Sequence, residues 1–117
     1  MPHAHSIPFE LTSNGIEFLI SINNTQLKCV LDSGATDSIL FKGSYRKSIQ
    51  KRKNLLGLNS ITIPTLSMGT LFKTNMNFIA PDLENVHFDI LLGLDFLLQH
   101  EVFIDFKLKR ISIIEIK

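Results

Sequence analysis

Asp32, Ser33 and Gly34 stand together in the stretch Lys28-Cys29-Val30-Leu31-Asp32-Ser33-Gly34-Ala35-Thr36-Asp37. An apolar run enters the stretch, and the carboxylate falls where a strand would end. Glycine lets the backbone turn tightly and brings N–H groups toward the carboxylate. The neighbouring hydroxyl can fix the loop through a hydrogen bond. A carboxylate in such a setting can serve as a general acid or base. The same three residue types are also ordinary turn formers, because Asp and Ser side chains bond to nearby backbone groups. On spacing alone the turn is the favoured reading.

Other chemistry finds less support. No G-x-S-x-G elbow surrounds Ser33, no helix is expected after it, and Ser60 and Ser67 have no better context. The glycines are isolated, so no phosphate-cradling loop is present. His87 and Asp89 are neighbours without a third ligand at metal spacing and read as residues of a strand entry. His3 and His5 read as part of a mobile terminus. Cys29 is the sole cysteine, which excludes an internal disulfide and a cysteine-based zinc cage. Asp95, two residues after Gly93, reads as a helix N-cap rather than a second catalytic acid. No metal and no cofactor are expected.

The 117 residues suit one small domain. Twelve basic residues against eleven acidic ones exert no overall pull toward nucleic acid or an anionic surface. The basic run from Arg46 to Lys53 reads as a solvated face, so nucleic-acid binding is not expected. The longest apolar stretch, Ile90 to Leu97, is interrupted by Gly93 and Asp95 and too short to span a bilayer, so no membrane association is expected. No secretion signal is expected.

Strand patterns must position any site here. Gly15 to Ile22 alternates apolar and polar residues, Asn23-Asn24 tolerates the positive φ of a tight hairpin, and Thr25 to Leu31 returns. Ser38 to Phe41 is a short β-rich run. Ser60 to Pro64 and Thr70 to Ala80 read as a second hairpin, and Phe88 to Leu92 as a strand buried on both faces. One helix is expected, Leu94 to His100. The C-terminal stretch reads as two strands around Lys107 to Arg110, with Ile111, Ile113, Ile114 and Ile116 forming an apolar strand that needs cover. The fold class is all-β, a small closed or sandwich-like barrel with one short C-terminal helix. Residues 1–15 form an N-terminal segment, partly mobile or an interface strand, and 16–117 the domain. "VLDSG" and "ILLG" echo each other about sixty residues apart, each a strand that turns at glycine.

At this point a resemblance enters. Val30-Leu31-Asp32-Ser33-Gly34-Ala35 is similar to the active-site segment of the retroviral-type aspartic proteases, the retropepsins. Asp89 to Leu97, with Leu92 and Gly93, resembles their second hallmark, two apolar residues and a glycine before a short helix. In form it is closest to the proteases of Ty3/gypsy retrotransposons and plant pararetroviruses. The two hallmarks occur in order and at family spacing, and the resemblance spans about Ile16 to the C-terminus.

The resemblance implies a retropepsin-type acid-protease barrel active as a homodimer, with Asp32 of each copy supplying one catalytic carboxylate. Ser33, Gly34 and Ala35 would support the active-site loop, Ser33 by bonding across the two-fold. The apolar C-terminal strands would interleave at the dimer interface. A flap hairpin would close over an extended polypeptide, its tip near Gly57, Leu58, Asn59 and Ser60, with Ile39, Ile61 and Ile90 lining apolar pockets. The substrate would be a viral or retroelement polyprotein, and the protease, released from it, would reside in the host cytoplasm or a virus-like particle. Leu94 stands where retroviral enzymes commonly have Arg. That departure keeps an alternative in view, a catalytically weak domain of the same fold used for dimerisation or peptide binding.

Overall fold

The computed structural model describes residues 4–41, 60–81, 84–85 and 87–115. The basic run Arg46 to Lys53 and the flap positions Gly57, Leu58 and Asn59 lie outside the described residues. The strands are β1 (Ala4–Pro8), β2 (Glu10–Thr12), β3 (Gly15–Ile22), β4 (Thr25–Leu31), β5 (Ile39–Leu40), β6 (Ser60–Met68), β7 (Leu71–Ile79), β8 (Ile90–Leu92), β9 (His100–Asp105) and β10 (Arg110–Glu115). Among the described residues the helix is α1 (Leu94–Leu97), between β8 and β9. No helix among the described residues is long and apolar enough to cross a membrane.

Six strands close on themselves in the order β3-β4-β8-β5-β7-β6, with Ser21 opposite Ser67 joining β6 back to β3. β2 extends this sheet beyond β3, and β1-β10-β9 form a separate three-stranded sheet. Alternation explains the barrel wall. Phe18, Ile20 and Ile22 of β3 and Leu27 and Cys29 of β4 are buried while the residues between them are largely not. Burial also pushes the Cys29 thiol above its usual range, with Glu17 adding to the effect, so the sulfur stays protonated and inert. Asn23 and Asn24 take φ of 49° and 64° in the β3–β4 turn, as the hairpin expectation required.

The β6–β7 hairpin runs further than Pro64. Its register continues through Ile63–Met76 and Thr65–Thr74 and omits only Pro64–Asn75. Proline has no N–H for the ladder, and Asn75 opposite it adopts φ 52°. The inward face changes at this point, from Ile61, Ile63 and Phe78 to Leu66, Met68 and Leu71. The proline thus marks a change of face rather than a strand end. At the turn, Gly69 (φ 56°) leaves no room for a side chain, because a β-carbon there would stand 2.7 Å from the Ser6 carbonyl oxygen.

α1 is shorter than expected, and β9 already starts at His100. The His100 ring Nδ1 lies 2.8 Å from the Phe96 carbonyl oxygen, so Nδ1 carries the proton and shares that oxygen with the Gln99 N–H, which closes a last tight turn. The ring also stacks on Phe96, centroids 4.3 Å apart. With Nδ1 protonated, Nε2 accepts from the Lys73 ammonium at 3.2 Å. Lys73 lies 3.8 Å from Glu115, Glu115 lies 3.4 Å from His5, and His5 bonds Thr70 at 3.0 Å. The turn end of the β6–β7 hairpin therefore clasps all three strands of the terminal sheet.

That sheet corrects one expectation. β10 pairs with β1 from Ala4–Ile114 to Pro8–Arg110 and with β9 from Arg110–Asp105 to Glu115–His100. Both of its edges are filled by its own chain, so Arg110–Glu115 has no free edge with which to interleave with another copy.

Burial, opposed by the bond to Phe96, holds the His100 pKa below the ordinary histidine value of 6.5. The unfolded chain therefore takes up this proton first as pH falls, and folding stability declines below about 6.5 until His100 itself protonates. Urea unfolding across pH 5 to 8 should show this loss in the parent and a shallower one in His100→Gln. Equal slopes would contradict the assignment.

Candidate active site

Asp32 follows β4 directly, and its backbone N–H bonds the Leu92 carbonyl at 2.9 Å. β4 runs parallel to β8, Cys29 opposite Ile90 and Leu31 opposite Leu92. The chain then turns through Ser33-Gly34 and returns as β5, which pairs antiparallel with the other edge of β8. β8 is thus threaded between the two arms of the Asp32 loop. The end of this three-strand unit is tied by Asp89, whose carboxylate accepts the Lys28 N–H at 2.9 Å and whose N–H donates to the Lys28 carbonyl. The reading of Asp89 as a strand-entry residue agrees with this.

Within the loop, the Gly34 N–H donates to the Asp32 carboxylate at 2.8 Å, and the Ala35 N–H to the Asp32 carbonyl at 3.2 Å. Ser33 and Gly34 are exposed, while Asp32 and Ala35 are half-buried. The carboxylate is therefore oriented by a backbone donor yet open to solvent. A charge that accepts a backbone N–H at the tip of a rigid loop is placed to act on something outside the chain.

Gly93 holds the loop from beneath. A β-carbon at this position would lie 2.8 Å from the carbonyl oxygens of both Ala35 and Asp37. Contacts that close do not occur, so only glycine fits. The residues after Gly93 continue the grip, with the Leu94 N–H donating to Ala35 O at 2.8 Å and the Asp95 N–H to Thr36 O at 3.1 Å. Leu92 and Gly93, singled out with Asp32 from the sequence, are brought against the Asp32 loop.

Ser38 and Asp95 complete the brace, and neither role was expected. The helix N-cap is Gly93, without a side-chain bond, and Asp95 sits inside the first turn. Its carboxylate accepts the Ser38 hydroxyl at 2.7 Å and the Ser38 N–H at 3.0 Å, along with the Phe96 N–H at 2.8 Å. The Ser38 oxygen in turn accepts the Gly93 N–H at 3.0 Å. Ser38 is fully buried, and its hydroxyl both donates to Asp95 and accepts from Gly93. The available signal was a polar residue heading an apolar strand and an acid following the late glycine, but their pairing spans 57 positions.

The remaining expected residues divide. Ser60 opens β6 opposite Ile79 and is exposed. Ile39 and Ile61 are half-buried, but Ile90 is fully buried in the barrel core and cannot line a pocket for a ligand. As the middle of three strands, β8 has both of its edges paired, and it turns Ile90 and Leu92 into the core while Leu91 on the other face is half-buried. No group of three metal-ligating side chains occurs among the described residues.

No protein-family model matches the chain, and no curated protein matches it in sequence. Its architecture does match solved structures. A retropepsin-like aspartic protease from Rickettsia conorii aligns with a TM-score of 0.68 at 18% identity, covering 98% of this chain and 93% of that one. The retroviral protease-like domain of Ddi1 from Leishmania major aligns with a TM-score of 0.58 at 23% identity, covering 78% of this chain and 81% of that one. The fold is the retropepsin-like one: a closed six-stranded barrel, mostly strand, with one short helix among the described residues.

The two loop glycines should respond differently to alanine. Gly93→Ala must displace backbone and should cost about 2 to 3 kcal/mol of stability. Gly34→Ala meets only the Asp32 carboxylate, at 3.1 Å, and should cost less than about 1 kcal/mol. Thermal unfolding of the two variants checks the order, and a Gly93→Ala protein as stable as the parent would contradict the close-approach account.

Proposed function

We propose that the chain is an aspartic endopeptidase acting as a homodimer. The observation that carries this reading is the Asp32 carboxylate, oriented by Gly34 and held at a loop tip by Gly93, in a fold shared with retropepsin-like aspartic proteases. The motif Asp32-Ser33-Gly34-Ala35 supports the same conclusion.

One carboxylate is half of the required chemistry. Two carboxylates about 3 Å apart cannot both ionise, so a pair shares one proton and titrates as a unit. The ionised member takes a proton from a water molecule as that water's oxygen attacks the scissile carbonyl carbon. The neutral member gives its proton to the carbonyl oxygen. Collapse of the tetrahedral intermediate breaks the C–N bond, with a proton passing to the departing amine. This chain carries a single Asp-Ser-Gly, and the simplest partner for Asp32 is its own copy across a two-fold axis. Ser33, exposed beside it, braces the two loops across that axis. Gly34, its N–H engaged by Asp32, offers its carbonyl to the substrate main chain.

The substrate is an extended peptide bound as an added strand, through main-chain hydrogen bonds and alternating side-chain pockets. Ile39 and Ile61, both half-buried, contribute to these pockets. The Ty3/gypsy-like and pararetrovirus-like form of the two hallmarks supports a viral or retroelement polyprotein as the natural substrate, processed in the cytoplasm or in a particle.

Asp32→Asn should fold like the parent and cleave a peptide substrate at least about a thousandfold more slowly. The parent should show an acid-shifted rate optimum and lose activity toward pH 8, because the shared proton is then gone. An Asp32→Asn protein that cleaves as the parent does, or a flat profile through pH 8, would overturn this reading.

A further inference from the structure

The two ring nitrogens of His100 have separate partners. Nδ1 lies 2.8 Å from the Phe96 carbonyl oxygen. A carbonyl can only accept, so Nδ1 keeps its proton whether or not the ring is charged. Nε2 lies 3.2 Å from the Lys73 Nζ. An ammonium can only donate, so Nε2 must be bare for that bond to exist. The Lys73–His100 bond therefore requires the neutral ring in a single tautomer.

The charged groups around this bond come from every element packed against it. Lys73 belongs to β7, Glu115 stands opposite His100 in the β9–β10 ladder, and His5 approaches from β1. Lys73 Nζ lies 3.8 Å from Glu115 Oε2, and His5 Nε2 lies 3.4 Å from the other oxygen of that carboxylate. Glu101, next to His100 on β9, is exposed. Asp95 of α1 is engaged by Ser38 and the Phe96 N–H. Glu115 is thus a second anchor for the Lys73 ammonium, already in place beside the first.

A second proton on the ring turns Nε2 from an acceptor into a donor. It also sets an imidazolium against an ammonium at 3.2 Å, and attraction becomes repulsion. Lys73 has room to leave, because an open cleft of about 310 Å³ is lined by Lys73, Leu98, Gln99, His100 and Glu115. The hairpin turn does not leave with it. Thr70, in that turn, is bonded to His5 at 3.0 Å, so the turn stays fastened to β1.

We propose that Lys73, His100 and Glu115 form a pH-operated latch. With His100 neutral, Lys73 ties the β6–β7 hairpin to the junction of α1 and β9. With His100 charged, Lys73 moves to Glu115 and the junction is released. Burial of the ring, opposed by the Phe96 carbonyl and Glu115 and assisted by Lys73, holds the change below the ordinary histidine value of 6.5. α1 follows Gly93 directly and β9 follows α1. The latch therefore steadies the far side of the Gly93 brace at neutral pH and frees it in acid. It operates whether or not Asp32 is catalytic.

Histidine side-chain NMR with nuclear Overhauser contacts tests the latch as pH is lowered from about 7.5. At the start, the parent His100 should be the Nδ1-protonated tautomer, with contacts from its ring to the Lys73 side chain. Once the ring is doubly protonated, those contacts should be lost and the Lys73–Glu115 contacts kept. His100→Gln supplies an acceptor that does not titrate, so its Lys73 contacts should survive acid. Lys73→Met should raise the midpoint of the His100 titration and Glu115→Gln should lower it, shifts that packing alone would not produce. An Nε2-protonated tautomer at neutral pH, ring–Lys73 contacts that persist on the charged ring, or a midpoint unmoved by both charge variants would each overturn the latch. Should His100→Gln fail to fold, the titrations of the parent and Lys73→Met decide the question.

Discussion

Two stretches of backbone, far apart in sequence, cross here without room for a side chain between them. Gly93 lies against the carbonyl oxygens of Ala35 and Asp37, and the crossing is possible only because β8 enters between β4 and β5. Every feature of the site follows from that threading. The Asp32 N–H finds the Leu92 carbonyl because β4 and β8 are parallel, and the Ala35 carbonyl is capped by Leu94 because the chain continues directly into α1. A loop held by main-chain bonds on both sides cannot drift, so its carboxylate keeps one direction while remaining open to solvent. The buried Ser38–Asp95 pair secures the same crossing with side chains.

The terminal sheet extends this rigidity in another direction. Lys73 and Thr70, at the turn end of the β6–β7 hairpin, reach His100, Glu115 and His5 on the three strands of that sheet. Ile7, Ile111 and Ile113 add apolar burial beneath the polar clasp. The sheet is therefore seated on the barrel by its inner face, and what it offers outward is an edge and a hairpin.

Much of this was legible in the residues. Asn23-Asn24 announced its turn because few other residues accept positive φ, and the alternation of Ile16 to Ile22 announced a half-buried strand. The spacing between Asp32-Ser33-Gly34 and Leu92-Gly93 indicated two strand ends that meet. What stayed hidden depended on long-range partners. Pro64 looks like a strand end because it lacks a donor, and only its position opposite Asn75 shows that the hairpin continues. Asp95 looks like a cap because an acid at a helix start usually is one, and its actual partner, Ser38, is distant in the chain. The helix seemed to reach His100 because local pattern cannot reveal that the Gln99 N–H and the His100 imidazole converge on the Phe96 carbonyl. β5 is two residues long and exists only because β7 and β8 flank it.

The central claim is that one active site needs Asp32 from two chains. It is tested most directly by mixing parent and Asp32→Asn proteins at constant total concentration, allowing subunits to exchange, and measuring peptide cleavage against the parent fraction. If both carboxylates are required, activity follows the square of that fraction, and an equal mixture retains about one quarter of the parent rate. An equal mixture that retains about one half, with a linear dependence throughout, would show that each chain works alone and would contradict the account.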